Sequence, residues 1–389
     1  MTANHPSPLR GGAGVGVTFA LAVAILTSAG CIARPPALGP QALLTRGAGE
    51  EAALAKRVSV HRDPGPAAYV ATIAARLVPS GGAVSVTVID DPTLAAFVMP
   101  SGRVYVHTGL LSRLTNEDEL ALVLALELAR DPRGQTLRLG PAMTGSLPHG
   151  DLSPTGAAIL GLDLRIAAAA AIGGYGEDRE GQAEREAIQR LAAPRYDGGR
   201  ALALFQRLST PPGVGGPLEI FVYGDPRRMA ERYRAMRPLV AAGGVSAPGD
   251  RSDFETRMRS VVRDNASLEL RVGRFDLAET DVVRVLAEDP RDPAAVMVAA
   301  EIARLRAQRV AAGSERATYM QEALRRYRRA MELDPSNAEP LRQLGLLYYQ
   351  EHDIANARAA FERYLAVAPA AADAARIREY LAVVGEVKP

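Results

Sequence analysis

Three prolines in the last third of this 389-residue chain set the strongest constraint on its fold. Pro335 and Pro369 lie 34 residues apart, and Pro290 lies 45 residues before Pro335. A proline lacks the N–H donor that a helix needs and its ring collides with the preceding turn, so each one closes a helical segment. A helix pair that fills a 34-residue period cannot bury its apolar stripe alone and must stack on the next pair. Within residues 338–371, small and bulky residues fall where such stacking needs them: Leu341, Leu344, Gly345, Tyr348, Ala357, Phe361 and finally Pro369. Small side chains let two helices approach, and bulky ones fill the holes of the neighbour. Tyr364 departs, standing where a small residue belongs. The unit before keeps Ala323, Tyr327, Ala330 and Pro335, with its first helix displaced by an insertion around 310–316. A weaker first unit carries Ala266, Ala278 and Pro290.

This pattern resembles the tetratricopeptide repeat, here expected over 255–385. The resemblance implies a concave surface for protein or peptide partners; the plainer alternative is that the repeats only cap the domain before them. The remaining composition narrows the field. A net charge of +2, 5% aromatic residues and no tryptophan offer neither a basic surface nor stacking platforms, so no nucleic acid is expected. One cysteine excludes an internal disulfide and a Cys-rich zinc site, and five histidines leave few imidazole ligands. The arginines at 325, 326, 328 and 329 sit at helical spacing beside Glu322 and Glu332, which reads as a solvated helix face.

At the other end, Gly11 to Leu26 form an uncharged apolar run. It is shorter than the ~20 residues a membrane span requires and suits a signal-peptide core. Thr27-Ser28-Ala29-Gly30-Cys31 resembles a bacterial lipoprotein signal, with Ser28 where such signals usually carry Leu. The reading is a signal peptide over 1–30, lipidation at Cys31 and a proline-containing tether over 31–47. An acyl anchor, not a spanning helix, would hold the chain at a membrane. The cell envelope, facing the periplasm from the outer membrane, is the expected location; an ordinary signal peptide with an incidental cysteine is the alternative.

Residues 48–240 mix helical spacing with two short alternating runs, Val84–Val88 and Val104–Val106, so the fold class is α+β: a mainly helical domain with a small sheet, followed by the all-α repeats. Glu50 to about Arg76 reads as helix. Thr115 or Asn116 caps another, with Glu119 three residues after Asn116, and it continues to Asp131-Pro132. Further helices are expected over 161–172, 178–191 and 198–208, with linkers at 209–217 and 239–250.

The order of landmarks in this region is similar to that of the BepA/HtpX-like zinc metallopeptidases, related to the CAAX prenyl proteases. Asp90 to Leu111 resembles the family's Asn-Ala-Phe, Pro-Gly-Gly and Gly-Leu-Leu stretch through Phe97, Pro100, Gly102 and Gly109-Leu110-Leu111. Asn116 to Ala125 resembles the run into its zinc helix, Arg179 to Glu186 its Arg-x-x-Glu-x-x-Ala-Asp, and Tyr196-Asp197 its Gly-Tyr-Asp-Pro. The family's His-Glu-x-x-His places two imidazoles on one helix face to hold zinc, with the Glu as general base and a later Glu as third ligand. Here the matching residues are Leu126-Glu127-Leu128-Ala129-Arg130, and the third-ligand position falls on Gln182.

Leu126 has no lone pair and Arg130 offers donors only. A guanidinium ~4 Å from a dication, at an effective dielectric of about 20, is repelled by roughly 8 kcal/mol. The expectation is therefore no catalytic residue, a vestigial base Glu127, and no metal at the former ligand positions Leu126, Arg130 and Gln182. Arg130 and Glu127, one turn apart, are candidates for an ion pair joined by Gln182 or Glu184. Zinc relocated to His107, His149, Glu127 and Glu184 is the minor alternative. Asp225-Pro226 stands where the family writes a later His-Pro. The function expected is an exported, lipid-anchored pseudopeptidase that binds protein or peptide partners through the repeats and the degenerate cleft, without cofactor. The alternative is an active zinc metalloendopeptidase of envelope protein quality control with unorthodox ligands.

Overall fold

The computed structural model describes residues 37–78, 82–133, 137–138, 164–171, 177–192, 196–210, 222–243 and 253–386. The signal peptide, Cys31, His149 and the linker at 211–217 lie outside the described residues. All described elements belong to one compact unit, Pro36–Pro389. Among them, no helix is long and apolar enough to cross a membrane.

The expected tether ends early. Pro40 does not extend a linker but opens helix α1 (Pro40–Ala55), taking the first helical position, where a missing N–H is harmless. After α1 comes not a continuous helix to Arg76 but a break and then α2 (Pro64–Arg76), whose first turn is capped by Asp63. The strands β2 (Val86–Ile89), β3 (Ala96–Val98) and β4 (Val104–His107) form a sheet of order β2-β4-β3. β2 runs parallel to β4 and β3 antiparallel to it, with Val88 opposite Val106 and Phe97 opposite Tyr105. A second, two-stranded pairing joins β1 (Ala37–Leu38) to β5 (Leu137–Arg138).

Helix α3 (Thr108–Arg113) follows β4 directly, and Gly109 is needed there. A Cβ on it would lie 2.3 Å from the Pro92 carbonyl carbon, so only glycine permits this close approach. Helix α4 (Glu117–Ala129) is buried on every side from Glu117 to Leu128, the pattern of a central helix. It starts as expected: Asn116 accepts from the Glu119 N–H at 3.0 Å, while the Glu119 carboxylate reaches back to the Thr115 N–H at 2.8 Å. Helices α5 (Arg165–Ala171), α6 (Glu177–Ala192), α7 (Gly198–Leu208) and α8 (Pro226–Gly243) complete the domain. The first turn of α5 is pinned to α1: buried Glu50 accepts from the N–H groups of Ile166 and Ala167 at 2.8 and 3.0 Å. α8 runs through residues 239–243, which composition marks as linker. Met229 and Met236 on its inner face are fully buried, and that burial holds the helix despite Pro238.

The repeats form helix pairs: α9 (Phe254–Arg271) with α10 (Phe275–Glu288), α11 (Pro293–Arg309) with α12 (Ser314–Leu333), α13 (Glu339–Gln350) with α14 (Ile354–Val367), and a final α15 (Ala374–Glu386). Gly345 is packed as expected, since a Cβ there would meet the Phe361 ring at 2.4 Å. Tyr364, the departure from the pattern, is buried and its hydroxyl donates to Asp373. Arg325, Arg326 and Arg329 pair with Glu322 and Glu332 on an exposed face.

The first repeat helix is not a separate module. Phe254, Met258, Val261 and Val262 of α9 share one apolar core with α2, α3 and α4. A buried polar network locks the same junction. The Asn265 amide donates to Ser112 Oγ and to Asp281 Oδ2, both at 2.9 Å, and Arg113 reaches Glu269 at 2.6 Å.

Candidate functional site

α4 carries acid at both ends, and each end is neutralised by a different set of helices. At the N-terminus, Glu117 takes bonds from Tyr69, Arg76 and Tyr196. Asp118 pairs with Arg200 at 3.4 Å, and Glu119 receives the Arg207 fork at 2.8 and 2.7 Å. Carboxylates at a helix N-terminus also face its positive end. These three acids are structural: each fastens the central helix to a neighbour.

The C-terminal end is the candidate site. Glu127 is 1% exposed, and Arg130, the C-cap residue, is 2% exposed. Arg130 Nη1 donates to Glu127 Oε1. The Tyr223 hydroxyl donates to the same oxygen at 2.7 Å. Tyr223 sits in the 3-10 turn Val222–Gly224 and stacks on Phe205 of α7, with ring centroids 6.3 Å apart. From α8, fully buried Arg232 donates to Glu180 of α6 at 2.9 Å, and its guanidinium lies 5.7 Å from the Tyr223 ring centroid. Arg228 stands 3.8 Å from Glu180. Glu184, one turn further along α6, is buried beside the same guanidinium groups.

The electrostatics follow from this packing. Burial raises the pKa of Glu127, and Arg130 and the Tyr223 hydroxyl restrain the rise. Burial also disfavours the charged form of Arg130, but the adjacent Glu127 outweighs it and its pKa lies above the ordinary arginine value. Arg232 is pushed the other way, by burial and then by the like charge of Arg130. Burial raises Glu184. Tyr223 is held protonated by burial and by Glu127, so it acts here as a donor.

The predicted residues divide. Glu127 and Arg130 meet as an ion pair, and Leu126 beside them is fully buried in the apolar core. Gln182 does not join them. It is exposed on the outer face of α6, where with Arg185 and Glu186 it lines a surface hollow. Helical periodicity gives the reason: residues 180 and 184 share the face turned toward α4, and residue 182 points away. Glu180-x-x-Ala183-Glu184 therefore answers to the family's Glu-x-x-Ala-Asp, two residues before the expected register. On that register the third-ligand position would fall on Glu180. His107 is distant in role, bonded through Nδ1 to Thr93 at 3.0 Å, and His61 is bonded to Asp90 at 2.8 Å.

Tyr223, Arg232 and Glu180 are site residues that sequence reading passes over. The spacing of Met229, Tyr233, Met236 and Val240 could have revealed α8, and with it the inward position of Arg232.

A central helix with a buried carboxylate, a flanking helix that brings Glu180 to Arg232, and a small three-stranded sheet make up a mainly helical domain, here followed by helical repeats. The comparisons agree. Residues 66–240 match Peptidase family M48, and residues 312–382 match a tetratricopeptide repeat. The chain thus carries an M48-family domain and a C-terminal repeat region. It is also similar to the mitochondrial metalloendopeptidase OMA1 of Danio rerio, 42% identical over 45 residues, which are 12% of this chain and 9% of that relative.

The family binds zinc at this position, and the residues here do not fit that ion. Leu126 offers no donor atom, Arg130 brings a permanent cation, and the carboxylates of Glu127 and Glu180 already hold guanidinium groups.

Proposed function

We propose that this chain is a non-catalytic relative of the M48 metallopeptidases, an exported and lipid-anchored scaffold, adaptor or chaperone-like factor of the bacterial envelope. The observation that carries the reading is the buried Glu127–Arg130 pair. It occupies the turn where a metallopeptidase of this family presents its general base and second imidazole. The two guanidinium groups of Arg130 and Arg232 supply about the charge that a divalent metal would bring to Glu127 and Glu180. Peptide binding without cleavage is supported by the repeats; at the sheet β3 is fully buried and the end of β2 already pairs with Val60, so only the start of β2, at Val86 and Thr87, leaves an edge for an extended chain.

The test is partner capture by the full chain against a chain ending at residue 311. Loss of partners on removing 312–386 places binding in the last repeats; capture by both places it in the M48 domain or the first repeat helices, α9 to α11. Neither form capturing a partner counts against the scaffold reading. One observation favours the other reading, an active zinc endopeptidase with unorthodox ligands: Glu127 and Glu180 keep the base and third-ligand positions. That reading requires cleavage that Glu127→Gln abolishes.

A further inference from the structure

The donors of the buried cluster outnumber its partners. Arg130 Nε and Nη2, and Arg232 Nε and Nη1, have no hydrogen-bond partner among the described residues, although both side chains are only 2% exposed. Arg130 spends one nitrogen on Glu127 and Arg232 one on Glu180. Four guanidinium nitrogens, on two buried side chains that flank Tyr223, thus have no acceptor among the described residues. Buried charged donors are seldom left this way, because desolvation without a replacement acceptor is strongly unfavourable. Buried Glu184 feels the charge of both arginines, and among the described residues no hydrogen bond joins it to either.

The surroundings select the acceptor. A metal cation is repelled by Arg130 and Arg232. A multivalent anion would be repelled by Glu127, Glu180 and Glu184. A large one would have to displace Tyr223, which is fully buried between Phe205 and Arg232. What remains is a compact acceptor, a buried water or an ion of one negative charge, and only the ion makes stability depend on which salt is present.

We propose that the cluster is a site for a small monovalent anion, a halide ion or a small free carboxylate, held between the guanidinium groups of Arg130 and Arg232. The site rests on the metal-free reading above, in which those groups replace the dication. Bound there, the anion closes the hydrogen-bond account of both arginines and ties α4 to α8. The domain's stability then responds to the identity of the anion and not merely to ionic strength.

The experiment is thermal melting of the purified full chain at fixed ionic strength in sodium isethionate, a bulky sulfonate. Chloride or acetate is then substituted stepwise, and zinc content is measured on the same sample. The expected result is a Tm that rises and saturates by several degrees when the anion exceeds its Kd about a hundredfold. Saturation with chloride alone identifies a halide site; saturation with acetate identifies a carboxylate site. Arg232→Gln should abolish the response. Should that variant not fold, excess line broadening of the chloride-35 resonance by the unmodified chain, relieved by bromide, reports the site independently. A Tm that changes identically with every salt, with no broadening, overturns the proposal. A zinc-free sample with that outcome leaves the metal-free reading standing, whereas zinc bound near one per chain removes both.

Discussion

Arg130→Met is the perturbation that bears most directly on the site. The side chain is fully enclosed, and methionine keeps most of its volume while removing the charge that faces Glu127. Glu127 would then retain one hydrogen bond, from Tyr223, in a setting that already raises its pKa. Breaking a buried pair by removing one partner destabilises by about 3–5 kcal/mol. At about 2–4 °C of Tm per kcal/mol for domains of this size, the fall is on the order of 10 °C. The pH dependence has a definite sign. A carboxyl whose pKa is higher folded than unfolded favours folding at low pH and loses that benefit as pH rises through the folded value. Without Arg130 the folded pKa of Glu127 rises further, so the deficit of the variant should shrink on going from neutral pH toward pH 5. Adding Glu127→Gln should recover part of the loss, because the double variant buries no lone charge. The assay is melting by circular dichroism at several pH values for both single variants and the double variant. Equal Tm for Arg130→Met and the unmodified chain, with additive effects in the double variant, would refute the buried pair.

Further outcomes follow from the packing. Gly345→Ala should destabilise the last repeat by about 1–3 kcal/mol, because its Cβ would meet the Phe361 ring at 2.4 Å; hydrogen exchange in α13 and α14 reads this locally. Asn265→Ala should cost about 1–3 kcal/mol by stripping Asp281 and Ser112 of a buried donor, seen as faster exchange at the α3–α9 junction. A chain ending at residue 243 should not fold, since α2 and α3 lose the cover of Phe254, Met258 and Val262. Cys31→Ser should abolish incorporation of labelled palmitate if Cys31 is the lipidation site.

Local chemistry was legible in the sequence wherever one residue meets a near neighbour. The Asn116 cap with its Glu119 return and the Arg130–Glu127 pair are set by helical spacing, and the Gly345–Phe361 contact between α13 and α14 by the repeat pattern; both are visible in one dimension. Ambiguous signals misled. Pro40 marks a helix start as readily as a tether, and a run of Ala and Gly after Val240 hid the end of α8. β3 is three residues long, too short for alternation to show. Gln182 lies on a charged helix where Glu180, Gln182, Glu184 and Glu186 alternate, so sequence alone does not tell which of them turns inward; Gln182 is exposed and Glu184 buried. Long-range partners were invisible for a simpler reason. Tyr223 lies 96 residues from Glu127, and nothing in either neighbourhood announces the bond. The same holds for the shared core of α9 and the M48 domain, which a boundary drawn near residue 250 conceals.

The central claim is that guanidinium groups, not a metal, answer the carboxylates of this M48-family site. The most direct test is elemental mass spectrometry on the full chain, purified without chelator and dialysed against micromolar zinc, with Leu126→His/Arg130→His prepared alongside. The account predicts no stoichiometric zinc in the unmodified chain. It predicts uptake in the double variant, where two imidazoles would join Glu180. Zinc near one per chain in the unmodified protein would contradict it.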